Sequence, residues 1–146
     1  MTTEERKQYQ KCWNRDNPRD RRAEKAAYHQ AKINHPDYAS KQEALKRTVN
    51  YRLNQTYNSM CRRVEGKRTN NPHLYIGKSI CGQEEFKDWS RNDIEFNRRF
   101  EAWIESGCQY KLSPSIDRID SDKGYDIGNM QWLTVSENGA KAKNKK

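Results

Sequence analysis

The chain has 146 residues, a net charge of +9, 34% charged side chains and 32% hydrophobic ones. That is room for one domain with an extension, or for two small units, with too little apolar material for a large core. No apolar run approaches the roughly 20 residues of a membrane span, and the amino-terminal MTTEERKQYQK lacks a signal peptide's apolar stretch, so a cytoplasmic protein with no membrane partner is expected.

The charge is uneven. Residues 1–70 hold 17 Lys and Arg against 8 Asp and Glu, whereas residues 71–146 hold 12 of each. A basic half joined to a neutral, better-patterned half points to a helical nucleic-acid-binding extension, residues 1–64, on a compact domain, residues 65–146. The plainer alternative is a solvated, lysine-rich helical surface.

Residues 3–16 suit a helix with Tyr9, Cys12 and Trp13 on one side. Asn17-Pro18 then reads as an N-cap followed by proline at the first helical position, opening a second helix that runs to Ile33. Asn34-His35-Pro36 punctuates again. A third helical stretch, residues 39–63, carries Leu45, Val49, Leu53, Tyr57 and Met60 at mostly four-residue steps, a stripe that packs on the domain. The first two helices have too little apolar surface to fold alone. Arg19, Arg21, Arg22, Lys25, Lys46, Arg47, Arg62 and Arg63 are the cations expected on DNA phosphates, with salt-sensitive affinity and little sequence information. His29 and His35 read as surface or capping residues. Cys12, Cys61, Cys81 and Cys108 form no close pair, so no zinc is expected.

Residues 65–72 form a polar loop, the expected hinge between the halves. Residues 73–76 suit a short strand, residues 79–81 a second strand or a buried turn, and residues 83–89 a short helix. Asn92 with Glu95 resembles a capping box. It opens a helix in which Phe96, Phe100, Trp103 and Ile104 share one face and which ends near Gly107. With Phe86, Trp89, Ile116, Trp132 and Leu133 these side chains are the expected core.

Residues 115–143, SIDRIDSDKGYDIGNMQWLTVSENGAKAK, organise the rest. Residues 115–120 read as a strand. Asp122-Lys123-Gly124 reads as a turn in which glycine supplies a positive φ, and residues 130–133 as a second strand. Thr134 and Glu137 make a capping box for a final helix. The overall class is α+β, mostly helical, with a hairpin-plus-helix motif near the carboxyl end and a frayed basic tail at Lys145 and Lys146. Asp117 on the first strand and Asn138 in the helix's first turn can together hold one hard divalent cation. Asp120, three residues along the strand, points to the other face and reads as a turn-forming residue.

This segment resembles the ββα-metal motif of HNH (His-Me finger) endonucleases, as found in small phage and homing nucleases. Asp117 matches the strand's metal-binding Asp. Asn129 matches the loop Asn that pins the backbone, and Asn138 matches the helix metal ligand. Lys141 matches a basic residue often found one turn further. Arg118 stands where the family has its catalytic His, in an IDRID variant of the motif. The resemblance implies one Mg²⁺ or Mn²⁺ held at a scissile phosphate of duplex DNA, ahead of RNA, inside a bacterial host cell.

Arginine stays protonated and cannot act as a general base. Three answers stay open. His73 reaches the site from another strand, or the substrate phosphate helps ionise a water, or catalysis is lost and Arg118 clamps the DNA backbone. The two functions implied are a metal-dependent endonuclease that nicks or cuts duplex DNA, and a DNA-binding or regulatory protein that keeps the scaffold without cutting. A third, structural possibility is a capped helix behind a hairpin, with Asp117 only ion-pairing a neighbour.

Overall fold

A computed structural model describes residues 1–16, 21–67 and 69–144. The fold is α+β and mostly helical: α1 (Thr3–Asp16), α2 (Arg21–Ile33), α3 (Tyr38–Lys46), α4 (Val49–Val64), α5 (Gln83–Asn92), α6 (Ile94–Glu105), β1 (Pro114–Arg118), β2 (Met130–Thr134) and α7 (Val135–Asn144). Short 3-10 turns occupy Pro72–Leu74 and Tyr110–Leu112. The cap expected at Asn17-Pro18, the cation Arg19 and the tail Lys145-Lys146 lie outside the described residues, as does the side chain of Arg21.

The chain divides into two compact units, Met1–Glu43 and Ala44–Lys146. In the first, α1 buries no residue, and Tyr9 and Tyr28 are exposed. The division falls earlier than the 64/65 boundary expected from the polar loop. The reason is α4, whose Leu53 and Met60 are fully buried in the core of the second unit with Phe86, Phe96, Ile116, Tyr125, Met130 and Trp132. The long helix expected over residues 39–63 is two helices. The Thr48 side chain accepts from the Tyr51 backbone N–H at 3.3 Å and so caps α4 as a new helix.

Two further boundaries differ. Residues 73–76 form a 3-10 turn that runs into a hydrogen-bonded turn instead of a strand, with Pro72 starting it. The cap of α6 is Asp93, one residue later than Asn92, its carboxylate accepting from the Phe96 N–H at 2.8 Å.

β1 and β2 are antiparallel, with Ile116 opposite Trp132 and Asp117 opposite Gln131. Side chains alternate along β1, so Pro114, Ile116 and Arg118 are buried while Ser115 and Asp117 are half-buried. The Thr134–Glu137 capping box closes as the sequence predicts. The Thr134 N–H donates to Glu137 at 2.7 Å and the Glu137 N–H donates to Thr134 Oγ1 at 3.1 Å. Arg99 of α6 adds an ion pair to Glu137 at 3.1 Å. The Thr134 backbone bond and then Arg99 hold the Glu137 carboxyl below its ordinary value of 4.5. Glu137 therefore adds stability above the unfolded-chain value, and that contribution is lost as pH falls through the lowered folded value. Glu137→Gln is expected to flatten this part of the acid-side stability profile, read from urea melts taken from neutral to acid pH; an unchanged profile would contradict it.

The loop between the strands is tied upstream. Tyr125 N–H donates to Ser79 O at 2.8 Å and Cys81 N–H to Tyr125 O at 2.9 Å, so residues 79–81 form a single parallel bridge, Ile80 to Tyr125. Gly124 serves this contact. Its φ is not positive, contrary to the turn chemistry expected, but a Cβ there would meet Ser79 O at 2.2 Å and Ser79 N at 2.7 Å. Gly124→Ala forces the bridge to open or shift, and a loss of about 1–3 kcal/mol is expected in chemical denaturation. A wild-type midpoint for that variant would place the loop elsewhere.

Candidate functional site

Asp117 leaves β1 on the side that α7 covers. Its Oδ2 accepts from Gln131 Nε2, its cross-strand partner, at 2.8 Å, and forms an ion pair with Lys141 of α7. Lys141 Nζ also donates to Arg118 O at 3.1 Å. Asn138, almost one turn before Lys141, donates from Nδ2 to Ser115 Oγ at 3.1 Å and Ile116 O at 3.3 Å. The amide nitrogen thus ties α7 to β1, and the oxygens these bonds leave unused are Asp117 Oδ1 and Asn138 Oδ1. Both side chains line one cavity of about 500 Å³, with Arg63, Asn71, Tyr75, Ser121, Tyr125 and Lys141 among its other walls. Residues 21 positions apart in the chain converge because the hairpin folds back under the capped helix.

Asn129 sits at the closing end of the hairpin. Its Oδ1 accepts from the Asp120 N–H at 2.9 Å, and its Nδ2 donates to Asp120 O at 3.1 Å and Gly124 O at 2.7 Å. One side chain thereby fixes both arms of the loop. Asp120 forms a local turn, Oδ1 accepting from the Asp122 N–H at 2.9 Å.

Arg118 lies 6% exposed. Its Nη1 donates to Leu74 O and Lys123 O, each at 2.9 Å. The guanidinium lies 4.3 Å from the centre of the Tyr75 ring and 5.4 Å from that of Tyr125. Arg118 borders the cavity, but these bonds brace β1, the inter-strand loop and the Pro72–Leu74 turn against one another, and its forked face is not held ready for a phosphate. His73, the other candidate at the catalytic step, is exposed on that turn and does not line the cavity, although Asn71 and Leu74 on either side of it do.

Arg63 is the cation of α4 that reaches the cavity. Its Nη1 donates to Tyr125 Oη at 3.2 Å, and burial pushes the Tyr125 phenol up in spite of the arginine beside it. Arg22 and Lys25 on α2, Lys46 at the end of α3, Arg47 between α3 and α4, and Arg62 are all exposed. Divided by unit, the charge tells more than it does by halves. Residues 1–43 hold ten Lys and Arg against seven Asp and Glu, whereas residues 44–70 hold seven against one. The excess is densest around α4, whose sequence VNYRLNQTYNSMCRRV has no acidic residue.

Sequence reasoning missed Gln131, Tyr75 and Tyr125 as builders of the site. The strand register would have paired Gln131 with Asp117; no local signal announces the tyrosines. Among the described residues no group of three or more His, Cys, Asp and Glu could hold a metal, and no helix is long and apolar enough to cross a membrane. The four cysteines are free. No protein-family model, no curated protein and no solved structure matches the chain.

Proposed function

We propose that this chain is an HNH-like endonuclease that grips duplex DNA and hydrolyses a phosphodiester with one Mg²⁺ or Mn²⁺, acting in the cytoplasm of a bacterial host cell. One observation carries the reading: Asp117 from β1 and Asn138 from α7 line the same cavity, with Arg63 and Lys141 beside them. A carboxylate and a carboxamide oxygen suit a small hard cation, which is held by one or two carboxylates, keeps several waters and completes its shell on substrate phosphate. Such an ion, when bound, stabilises the charge that develops on the phosphate and on the leaving oxygen.

The chain's own residues supply the rest. Gln131 holds the Asp117 carboxylate in one rotamer. Asn129 and Arg118 keep the hairpin end rigid, so the two donors stay in register. Arg63 meets the phosphate's negative charge, and Lys141 joins it once its ammonium gives up Asp117 Oδ2 to the ion. Arg118 takes no proton, because a guanidinium remains charged, and His73 lies outside the cavity wall. The proton of the attacking water therefore passes to a nonbridging oxygen of the substrate phosphate, a route consistent with slow turnover.

A second reading, DNA binding without hydrolysis, is favoured by the Lys141 ammonium already placed on Asp117 Oδ2, where it neutralises the carboxylate that would hold the ion. Supercoiled plasmid separates the two. Relaxation that requires Mg²⁺ or Mn²⁺ supports the endonuclease; duplex binding with intact plasmid at every metal and pH supports the second reading.

A further inference from the structure

We infer that a second groove, between α4 and the start of β1, takes the next phosphate of the DNA strand held at Asp117 and Asn138; this deepens the reading of the first cavity as a phosphodiester site. The groove has a volume of about 550 Å³ and shares Arg63, Ile116 and Asn138 with the first cavity, so the two adjoin through one arginine. Its wall along α4 is polar: Gln55, Thr56 and Ser59 stand between Arg52 and Arg63. Across from them lie hydroxyls of Tyr110, Ser113 and Ser115, and no acidic side chain lines it.

The two arginines have different jobs. Arg52 lies 4.8 Å over the Trp103 ring and donates to Pro114 O at 3.3 Å, which fixes the groove's floor. Arg63 is half-buried and stands where the two cavities meet. A surface with one available cation, several hydroxyl and amide donors and no carboxylate matches a sugar–phosphate backbone, which offers only acceptors and negative charge. Tyr110, 77% exposed at the rim, is placed to lie against a sugar or base.

The test is a matched pair of charges on one helix. Ser59 lines the groove, while Asn58 is its exposed neighbour and does not. Binding of a labelled duplex to the full chain is measured by fluorescence anisotropy in EDTA, so that cleavage plays no part. Ser59→Glu is expected to weaken binding about tenfold or more and Asn58→Glu less than about threefold, at unchanged melting temperature, and Arg63→Gln to reduce the salt slope by about one. Equal weakening by both glutamates, weakening by neither, or a wild-type chain that binds no duplex overturns the groove. Intact plasmid with the Ser59/Asn58 contrast preserved overturns only the hydrolytic reading.

Discussion

Trp132→Ala is expected to unfold the second unit or leave it barely stable. The indole is 3% exposed on β2. Its ring centre lies 4.6 Å from Phe96, 5.9 Å from Phe86 and 6.4 Å from Trp89. It is therefore the point at which α5, α6 and the sheet meet. Truncating such a residue loses the burial of the ring and leaves a cavity that three rigid aromatics cannot fill, at about 3–5 kcal/mol, a large share of a small domain's stability. Trp132→Phe should cost markedly less. It keeps an aromatic ring against Phe96, and it removes an indole N–H that is buried without a hydrogen-bond partner. Urea melts of the two variants decide the matter. A cooperative, wild-type-like melt for Trp132→Ala would show that the core is organised around another residue.

Asp117→Ala is expected to abolish metal-dependent plasmid relaxation, by about 100-fold or more, the scale on which removing one electrostatic stabiliser at a reacting centre slows an enzyme. The fold should survive, because the carboxylate's partners are Gln131 and a partly exposed Lys141 and not the core. Asp117→Asn is the sharper variant. It keeps the size of the side chain and an acceptor for Gln131, but removes the charge that attracts a hard cation. Lys141→Met should act in the opposite direction on cation affinity, since the ammonium that competes for Oδ2 is gone. Titration of Mn²⁺ against wild type, Asp117→Asn and Lys141→Met, followed by electron paramagnetic resonance of the free ion, is expected to rank affinity as Lys141→Met, wild type, Asp117→Asn from tightest to weakest. Relaxation retained in Asp117→Asn would take the cavity out of the chemistry.

Local patterns were the readable ones. The Thr134–Glu137 box, the α6 stripe headed by Phe96 and the apolar run at Met130 each depend on residues within a turn or two, where spacing and side-chain chemistry suffice. The break at Thr48 had a local signal too, a threonine before an apolar helical run, but it is masked because Leu45, Val49 and Leu53 carry a four-residue apolar spacing straight across it. Residues 73–76 show the opposite failure. Their apolar residues suit a strand, yet Pro72 starts a 3-10 turn whose Leu74 carbonyl is taken by Arg118.

By itself the sequence determined the hairpin, its capped helix and the α6 stripe, because each follows from periodicity or from contacts spanning few residues, whereas Asn129 and the pairing of Asp117 with Asn138 were singled out with the help of a motif resemblance. Only the tertiary structure decided that Arg118 faces inward between two tyrosines, that Gly124 is there to let Ser79 approach, and that Lys141 pairs with Asp117. Those facts join Arg118 to Tyr75, Gly124 to Ser79 and Lys141 to Asp117, pairs 43, 45 and 24 positions apart, and which of several chemically suitable partners meets a side chain over such separations is settled by the shape the packed core leaves, not by spacing along the chain.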